Sequence, residues 1–167
     1  MARRVLTDAS PLIGLACVGG LNWLRALFGE VWMPPEVSAE VVGDRGFAGE
    51  QAIAEAITAG WLRVSEAAPS VPELPDLDEG EAACIRIALA WKVPSLLLMD
   101  ERAGRAVAEE NGLRVAGTAA VIGMAKRRGL IPSAREVFAQ LHQSDFRISA
   151  EVINTVLERV GEQQSPG

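Results

Sequence analysis

The chain has 167 residues, of which 49% are hydrophobic, and it carries a formal net charge of -6 at pH 7. This length and hydrophobic content are enough for one compact domain with a buried core, and they exclude a disordered or fibrous protein. The negative charge argues against a broad basic surface for nucleic acid, but it is compatible with a nuclease whose acids are concentrated at a metal site.

The two cysteines, Cys17 and Cys84, lie in hydrophobic helical surroundings without a CxxC motif or a neighbouring histidine. We therefore expect reduced thiols, not a disulfide or a zinc site, and a cytoplasmic protein. Asp8, Ser10 and Pro11 interrupt the first hydrophobic stretch, so we reject a signal peptide. No later stretch reaches the roughly 18 uninterrupted apolar residues of a membrane span.

Short hydrophobic runs alternate with helical patterns along the chain. Strands are predicted over residues 4–7, 31–33, 61–64, 95–99 and 113–116. Helices are predicted from residue 10, over 21–28, 34–42, 50–59 and 78–91, up to residue 111, over 118–128, from residue 133, and over 149–160. This order predicts an α/β three-layer sandwich with a central parallel sheet of five strands and additional C-terminal helices. We assign residues 1–160 to one domain and 161–167 to a flexible tail.

Polar residues at two helix starts have the spacing of capping signals. Ser10 is predicted to cap the first helix, with Pro11 in its first turn. Asp78 is predicted to cap the helix over 78–91, and Glu81 stands three residues later, as in a capping box.

Asp8 and Asp100 each follow a short hydrophobic run that is typical of a buried strand. In a parallel sheet, ligand sites collect at the carboxyl ends of the strands, near the point where the strand order reverses. We therefore expect these two carboxylates to be neighbours.

Two further acids lie on the hydrophobic stripes of predicted helices. Glu40 shares a helical face with Val37 and Val41, and Glu81 shares one with Cys84. Both are expected to point toward the sheet, where a charge is unfavourable unless something compensates for it. Four converging carboxylates, without histidine or cysteine, suit Mg²⁺ or Mn²⁺.

Each acid also has a structural interpretation. Glu81 is explained by the capping box with Asp78. Asp100 could cap the helix after its strand, and Asp8 could belong to a turn. Glu40 has no capping role, although it could pair with an arginine. The coincidence of all four acids favours a functional site.

Three other residue types could take part in chemistry. Arg105 has Glu101 and Glu109 four residues to either side, which favours a solvated ion-pair ladder over a phosphate contact. His142, the only histidine, is predicted to face solvent on a late helix. The four tryptophans are predicted to be core or interface residues and not platforms for stacked bases.

Several blocks of the sequence resemble the PIN domain, the fold of many metal-dependent ribonucleases. The first two blocks are LTDASPLI at 6–13 and MPPEVSAEV at 33–41. DEGEA at 78–82, LLMDER at 97–102 and GLRVAGT at 112–118 resemble later blocks of a PIN subgroup of uncharacterised prokaryotic proteins related to toxin ribonucleases. The order and spacing of the blocks are together fairly specific, and the resemblance extends to about residue 150.

The resemblance implies an acidic quartet that binds metal and carries out catalysis. Its members would be Asp8, Glu40, Glu81 and Asp100. Ser10 would orient the first acid or a metal-bound water, and Thr118 would assist. The third acid departs from the commoner toxin pattern, because many relatives carry an Asp at a helix start where this chain has Glu81.

A metal-dependent endoribonuclease is the activity that the resemblance implies. One or two Mg²⁺ or Mn²⁺ ions would activate a water and stabilise the leaving oxygen, giving a 5′-phosphate and a 3′-hydroxyl. The implied partners are RNA, a second copy of the chain in a homodimer, and a small antitoxin if the protein is the toxin of a type II toxin–antitoxin pair. No membrane partner is expected.

Other functional classes are weaker. The alternative that we keep open is a non-catalytic PIN-fold module that binds RNA or protein. An aspartyl phosphotransferase is disfavoured because Asp8 is followed at position 10 by Ser and not by a second Asp. A nucleotide-binding enzyme is disfavoured because no GxGxxG or GxxxxGK[ST] motif follows a predicted strand.

Overall fold

The computed structural model describes residues 3–43 and 45–162, which form five strands and nine helices. The strands are β1 (Arg4–Thr7), β2 (Val31–Met33), β3 (Leu62–Val64), β4 (Ser95–Leu98) and β5 (Arg114–Ala116). The helices are α1 (Ala9–Cys17), α2 (Leu21–Phe28), α3 (Pro35–Val41), α4 (Glu50–Ala59), α5 (Glu79–Trp91), α6 (Arg102–Glu110), α7 (Thr118–Arg127), α8 (Ala134–Gln143) and α9 (Ala150–Arg159).

The five strands form one parallel sheet in the order β3-β2-β1-β4-β5. Helices cover the sheet in a three-layer α/β arrangement, and α8 and α9 pack on α7 as additional C-terminal helices. The predicted fold class is therefore confirmed. The chain builds outward from β1 to β3 and then crosses back to β4, so the strand order reverses between β1 and β4. Ligand sites form at such a reversal point.

The two strands at the reversal point form the centre of the core. Every residue of β4 is buried, and only the first residue of β1 is exposed. Leu6 and Leu97 pair across the two strands and are fully buried. Burial of both sheet faces explains why these strands are nearly continuous hydrophobic runs. The same burial fixes the strand ends, and with them the residues that follow.

The predicted helix and strand boundaries agree with the structure to within one or two residues, but the capping residue of α1 differs from the prediction. Asp8 is the N-cap residue, and Ser10 is the second residue of the helix. The prediction of Ser10 as the cap is wrong because the Asp8 backbone stays extended and its N–H donates to the Leu98 carbonyl at 2.9 Å. The strand therefore leads directly into the helix.

No single helix in the described part of the chain is long and apolar enough to cross a membrane. Only together do α1 and α2 reach the length and hydrophobicity of a membrane span, and the two helices are bent by 115° relative to each other. Leu12, Leu15 and Leu24 of this pair are fully buried in the core. Both cysteines are free, as expected, with Cys84 buried and Cys17 half-buried.

The C-terminal end of the described chain is held against α8. Glu162 accepts hydrogen bonds from Ser133 Oγ at 3.0 Å and from the backbone N–H of Ala134 at 2.6 Å. These contacts lower the pKa of the Glu162 carboxyl, although burial opposes the shift. Residues 163–167 of the predicted tail lie outside the described residues.

Candidate functional site

Two acids lie side by side at the carboxyl edge of the sheet. Asp8 follows β1 and is only 6% exposed, while Asp100 follows β4 by two residues and is half-buried. Their strands are neighbours, with Thr7 of β1 paired to Leu98 of β4. The expectation from sequence that the two carboxylates meet at the reversal point therefore agrees with the geometry.

The Asp100 carboxylate is fixed by three hydrogen bonds. Its Oδ2 accepts from Ser10 Oγ at 2.9 Å and from Thr118 Oγ1 at 2.8 Å, and its Oδ1 accepts from the Thr118 N–H at 2.7 Å. Since each carboxylate oxygen has about two acceptor positions, Oδ2 is saturated and one position remains on Oδ1. The side chain therefore has a single preferred orientation with one free acceptor position.

These bonds change the roles inferred for Ser10 and Asp100. The hydroxyl of Ser10 orients Asp100 and not Asp8, because Ser10 lies one residue inside α1 and its side chain reaches across to the end of β4. Asp100 does not cap α6, whose N-cap residue is Glu101. It instead accepts the first N–H of α7, at Thr118. Thr118 is fully buried, and both its N–H and its hydroxyl contact Asp100.

Asp8 lies among other carboxylates. Burial raises its pKa from the ordinary value of 3.8 to about 6, and repulsion from Asp78, Glu40 and Asp100 acts in the same direction. A hydrogen bond from the Ala9 backbone opposes the rise. Three acids from other parts of the chain therefore lie close enough to Asp8 to repel its negative charge.

Asp78 is the member of this group that sequence reasoning missed as a site residue. A Cβ placed on Gly80 would lie 2.9 Å from Asp8 Oδ1 and 3.5 Å from Asp78 Oδ1, so both oxygens border the same point on α5. Asp78 Oδ1 also accepts the Glu81 N–H at 2.8 Å, which confirms its capping role. The available signal was the family preference for an Asp at a helix start, which Asp78 satisfies.

Glu81 is buried, as predicted, but its Oε2 atom lies against Gly104 of α6. The side chain is 5% exposed, and its Oε2 has no hydrogen-bond partner in the described structure. That oxygen packs against the backbone of Gly104, where a Cβ would also meet Met99 Sδ at 2.7 Å. Burial raises the pKa of Glu81 to about 8, and a hydrogen bond with Asp78 and repulsion from nearby acids add to the rise. The neutral form of Glu81 is therefore favoured relative to an exposed glutamate.

Glu40 lies at the open side of the site. It is exposed, whereas Val37 and Val41 of the same helix are fully buried. The prediction that Glu40 points toward the sheet is therefore wrong, because this residue is at the border of the hydrophobic stripe. Partial burial, together with repulsion from Asp78, raises its pKa. Glu40 and Gly80 line an open cleft of about 610 Å³.

The donor set fits a hard divalent cation. Within residues 3–43 and 45–162, no three or more His, Cys, Asp or Glu side chains are already arranged around a common metal position. The converging groups are nevertheless all carboxylates, with a raised pKa at Asp8, Glu40 and Glu81. Oxygen donors of this kind are preferred by Mg²⁺ and Mn²⁺, and a cation would offset their mutual repulsion.

Arg105 lies near the Oδ1 atom of Asp100, beside Gly117. The Arg105 Nη1 atom is 3.3 Å from the position that a Gly117 Cβ would occupy, and Asp100 Oδ1 is 2.9 Å from the same position. No ion pair within 4.0 Å joins Arg105 to Glu101 or Glu109 in the described structure. The predicted ladder along α6 is therefore wrong, because the guanidinium extends toward the edge of the sheet.

The remaining histidine and tryptophan predictions have mixed outcomes. His142 is half-buried and its Nε2 is shielded from solvent, so the prediction that it faces solvent is wrong. Trp32 and Trp91 form an edge-to-face pair at 6.1 Å, with the Arg4 guanidinium 5.0 Å from the Trp91 ring. The pair packs beside Arg4, the first residue of β1, and Trp91 is the last residue of α5. The tryptophans therefore form a structural cluster at the ends of β1 and α5 that lie away from the acids.

Comparisons with known proteins support one assignment. Residues 4–162 match the family model DUF3368, which is described as a PIN domain. The match covers all five strands and every acid described above. No curated protein and no solved structure matches the chain.

Proposed function

The chain belongs to the PIN-domain family, and from this premise we propose that it is a Mg²⁺- or Mn²⁺-dependent endoribonuclease of the cytoplasm. PIN domains are generally nucleases, so a nuclease-type fold is the starting point. The observation that carries the proposal is the convergence of Asp8, Glu40, Asp78 and Asp100 at the strand reversal. Repulsion among these acids, together with the burial of Asp8, destabilises the fold unless a cation is bound, which is the usual compromise at a functional site.

In the proposed mechanism, Asp8 and Asp100 would bind the metal directly. Glu40 and Glu81 would complete its surroundings or hold water there, and Asp78 would join them as a fifth carboxylate. When bound, Mg²⁺ or Mn²⁺ supplies charge that lowers the pKa of a water and stabilises negative charge on the phosphate and the leaving oxygen. The products would carry a 5′-phosphate and a 3′-hydroxyl.

The other side chains of the site contribute orientation. Ser10 and Thr118 hold the Asp100 carboxylate with one free acceptor position, so little reorganisation is needed when a ligand binds. Burial of Asp8 excludes water from one side of its carboxylate and strengthens its interaction with any cation. The only histidine, His142, lies on α8 and has no role in the proposed mechanism.

We also propose that the protein is the toxin of a type II pair, inhibited by a small antitoxin. An open acidic cleft beside Glu40 would attract a basic segment of such a partner. The supporting observation would be a small upstream gene for a DNA-binding protein whose product abolishes cleavage at a 1:1 ratio. Full activity in the presence of that product would favour a solitary nuclease.

A homodimer is the assembly that we propose for the free protein. Leu130 and Val152 are exposed hydrophobic side chains in the C-terminal part of the chain, where a second copy would cover them. Light scattering should give twice the mass of the 17.8 kDa chain, and Val152→Lys should give the monomer. A monomeric native protein would contradict the assembly without affecting the nuclease proposal.

The activity itself is tested with end-labelled single-stranded RNA in Mn²⁺, Mg²⁺ or EDTA. We expect cleavage only with metal, and products that a 5′-phosphate-dependent exonuclease can degrade. Products with a 2′,3′-cyclic phosphate would contradict the mechanism. RNA binding without cleavage in any metal would favour the non-catalytic binding module.

A further inference from the structure

The acidic edge also holds a positive charge that the proposed metal-binding residues do not use. Two arginines border the acids. Arg45, near Glu40, donates to the carbonyls of Ala39 and Val42 and so completes the end of α3. Arg105 is half-buried on α6, and in the described structure its guanidinium has no hydrogen bond and no ion pair. The Arg105 guanidinium therefore makes no direct polar contact with the described residues.

The position of this guanidinium relative to Asp100 is informative. Nη1 and Asp100 Oδ1 lie within 3.3 Å of one point, the missing Cβ of Gly117, but they are more than 4.0 Å from each other. Asp100 does not need the charge for orientation, because Ser10 and Thr118 already hold it. The guanidinium therefore lies on the Oδ1 side of the Asp100 carboxylate. Oδ1 is also the oxygen that has the free acceptor position.

An anion would satisfy both the guanidinium and a cation held by the acids. A half-buried arginine without a partner is unfavourable, and a carboxylate-rich site repels the phosphates of RNA. An arginine fork matches two oxygens of one phosphate, and the nearby N-terminus of α7 adds a favourable dipole. A phosphodiester could therefore contact Arg105 through one oxygen and a metal at Asp100 through another.

We propose that Arg105 is a substrate-binding residue that takes a phosphate of the RNA backbone at the acidic edge. This inference rests on the proposed ribonuclease function and adds the residue that compensates for the repulsion between the acids and the substrate. Gly117 contributes to the proposed phosphate site, because any side chain at this position would occupy the space beside Arg105 Nη1 and Asp100 Oδ1.

The test measures RNA affinity separately from cleavage. Fluorescein-labelled single-stranded RNA is titrated with protein in Ca²⁺ at several salt concentrations, and the RNA is checked for integrity after each titration. The variants are Arg105→Gln and Arg105→Lys. Arg128→Gln is the matched control, because Arg128 is exposed and follows α7 at the end opposite Thr118. Mn²⁺ affinity is measured on each protein by calorimetry.

We expect Arg105→Gln to raise the Kd for RNA about ten-fold or more and to reduce the salt slope by close to one phosphate contact, about 0.7 for a single strand. Arg105→Lys should restore the slope and part of the affinity, since lysine keeps the charge but not the fork. Arg128→Gln should change the Kd less than two-fold, and Mn²⁺ affinity should not fall in any variant.

Two results would overturn the inference. In the first, Arg105→Gln leaves both the Kd and the salt slope at native values. In the second, the variant weakens Mn²⁺ binding but not RNA binding, which would make Arg105 a positioning residue for Asp100. If the native protein binds RNA but never cleaves it, the ribonuclease proposal fails while the comparison of Kd values still decides the role of Arg105.

Discussion

Thr118 donates both its backbone N–H and its hydroxyl to Asp100, at 2.7 and 2.8 Å. The pair joins the start of α7 to the residue that follows β4 and Met99, across 18 positions of sequence. The hydroxyl is fully buried and has no alternative use in the described structure. It therefore connects the packing of a core helix to the orientation of the Asp100 carboxylate, which we propose to bind metal.

Thr118→Val should remove that hydroxyl while keeping the shape of the side chain. Asp100 Oδ2 would then be held by Ser10 alone, and we expect Mn²⁺ affinity and cleavage rate to fall about 10- to 100-fold, as when comparable supporting residues of metal sites are removed. Calorimetry and initial rates measure the two effects. Thr118→Ser retains the hydroxyl and is the control, and native activity in the Val variant would show that Thr118 does not position Asp100.

The stability of the metal-free protein should decrease as pH rises from about 4 to 8. The pKa of Asp8 is raised from 3.8 to about 6, and that of Glu81 from 4.5 to about 8, so the folded state holds protons that the unfolded state releases. The contribution of each group is complete below its unfolded pKa and is lost as pH rises through its folded pKa. Thermal unfolding in EDTA across this range measures the trend.

Neutral isosteres of these two acids should stabilise the metal-free protein at pH 8, because they remove the ionised form that burial disfavours. Glu81→Gln and Asp8→Asn should each raise Tm in EDTA by about 2 to 8 °C, which corresponds to about 1 to 2 kcal/mol for a chain of this size. Glu109→Gln, an exposed change on α6, should leave Tm unchanged. A lower Tm in both site variants, with the control unchanged, would mean that the acids contribute stability even without metal.

Asp78→Asn separates the capping role of this residue from its charge. Asparagine keeps the oxygen that accepts the Glu81 N–H, and Asn and Asp are about equally good N-caps. We therefore expect an intact fold, a higher Tm in EDTA at pH 8, and at least ten-fold weaker Mn²⁺ binding. Asp76→Asn, an exposed acid in the preceding loop, is the matched control. Native Mn²⁺ affinity in Asp78→Asn would restrict Asp78 to helix capping.

Gly80→Ala should disturb the site although alanine is the better helix former by about 1 kcal/mol. The added methyl would lie 2.9 Å from Asp8 Oδ1 and 3.4 Å from Val37 Cγ2, so the Asp8 carboxylate must move. We expect a folded protein with at least a ten-fold loss of cleavage rate. Circular dichroism and initial rates decide the matter, with Ala106→Gly on α6 as an exposed change of one methyl. An unchanged rate would show that the position of Asp8 is not critical.

The parts of the structure that sequence predicted depend on local patterns. The hydrophobic runs that precede Asp8 and Asp100 are sufficient to identify strands buried on both faces, and alternation with helices predicts a parallel sheet. The position of both acids at the strand ends follows directly. Neither inference requires the orientation of a particular side chain.

The parts that sequence did not predict depend on side chains that meet across distant elements. The Ser10 hydroxyl bonds to Asp100, 90 positions away, and no local pattern specifies that partner. Asp78 was explained by its cap, although the same carboxylate also faces Asp8. Arg105 has acids at helical spacing, but the space left by Gly117 lets its guanidinium extend away from them.

The central claim is that the carboxylates at the end of β1 and β4 form a catalytic metal site. It is tested most directly by Mn²⁺-dependent cleavage of labelled RNA by the native protein, Asp8→Asn, Asp100→Asn and the surface control Glu109→Gln, all shown to be folded. We predict that both Asp variants lose at least 99% of the native rate and that the control keeps it. Native rates in either folded Asp variant, or equal cleavage in EDTA, would contradict the account.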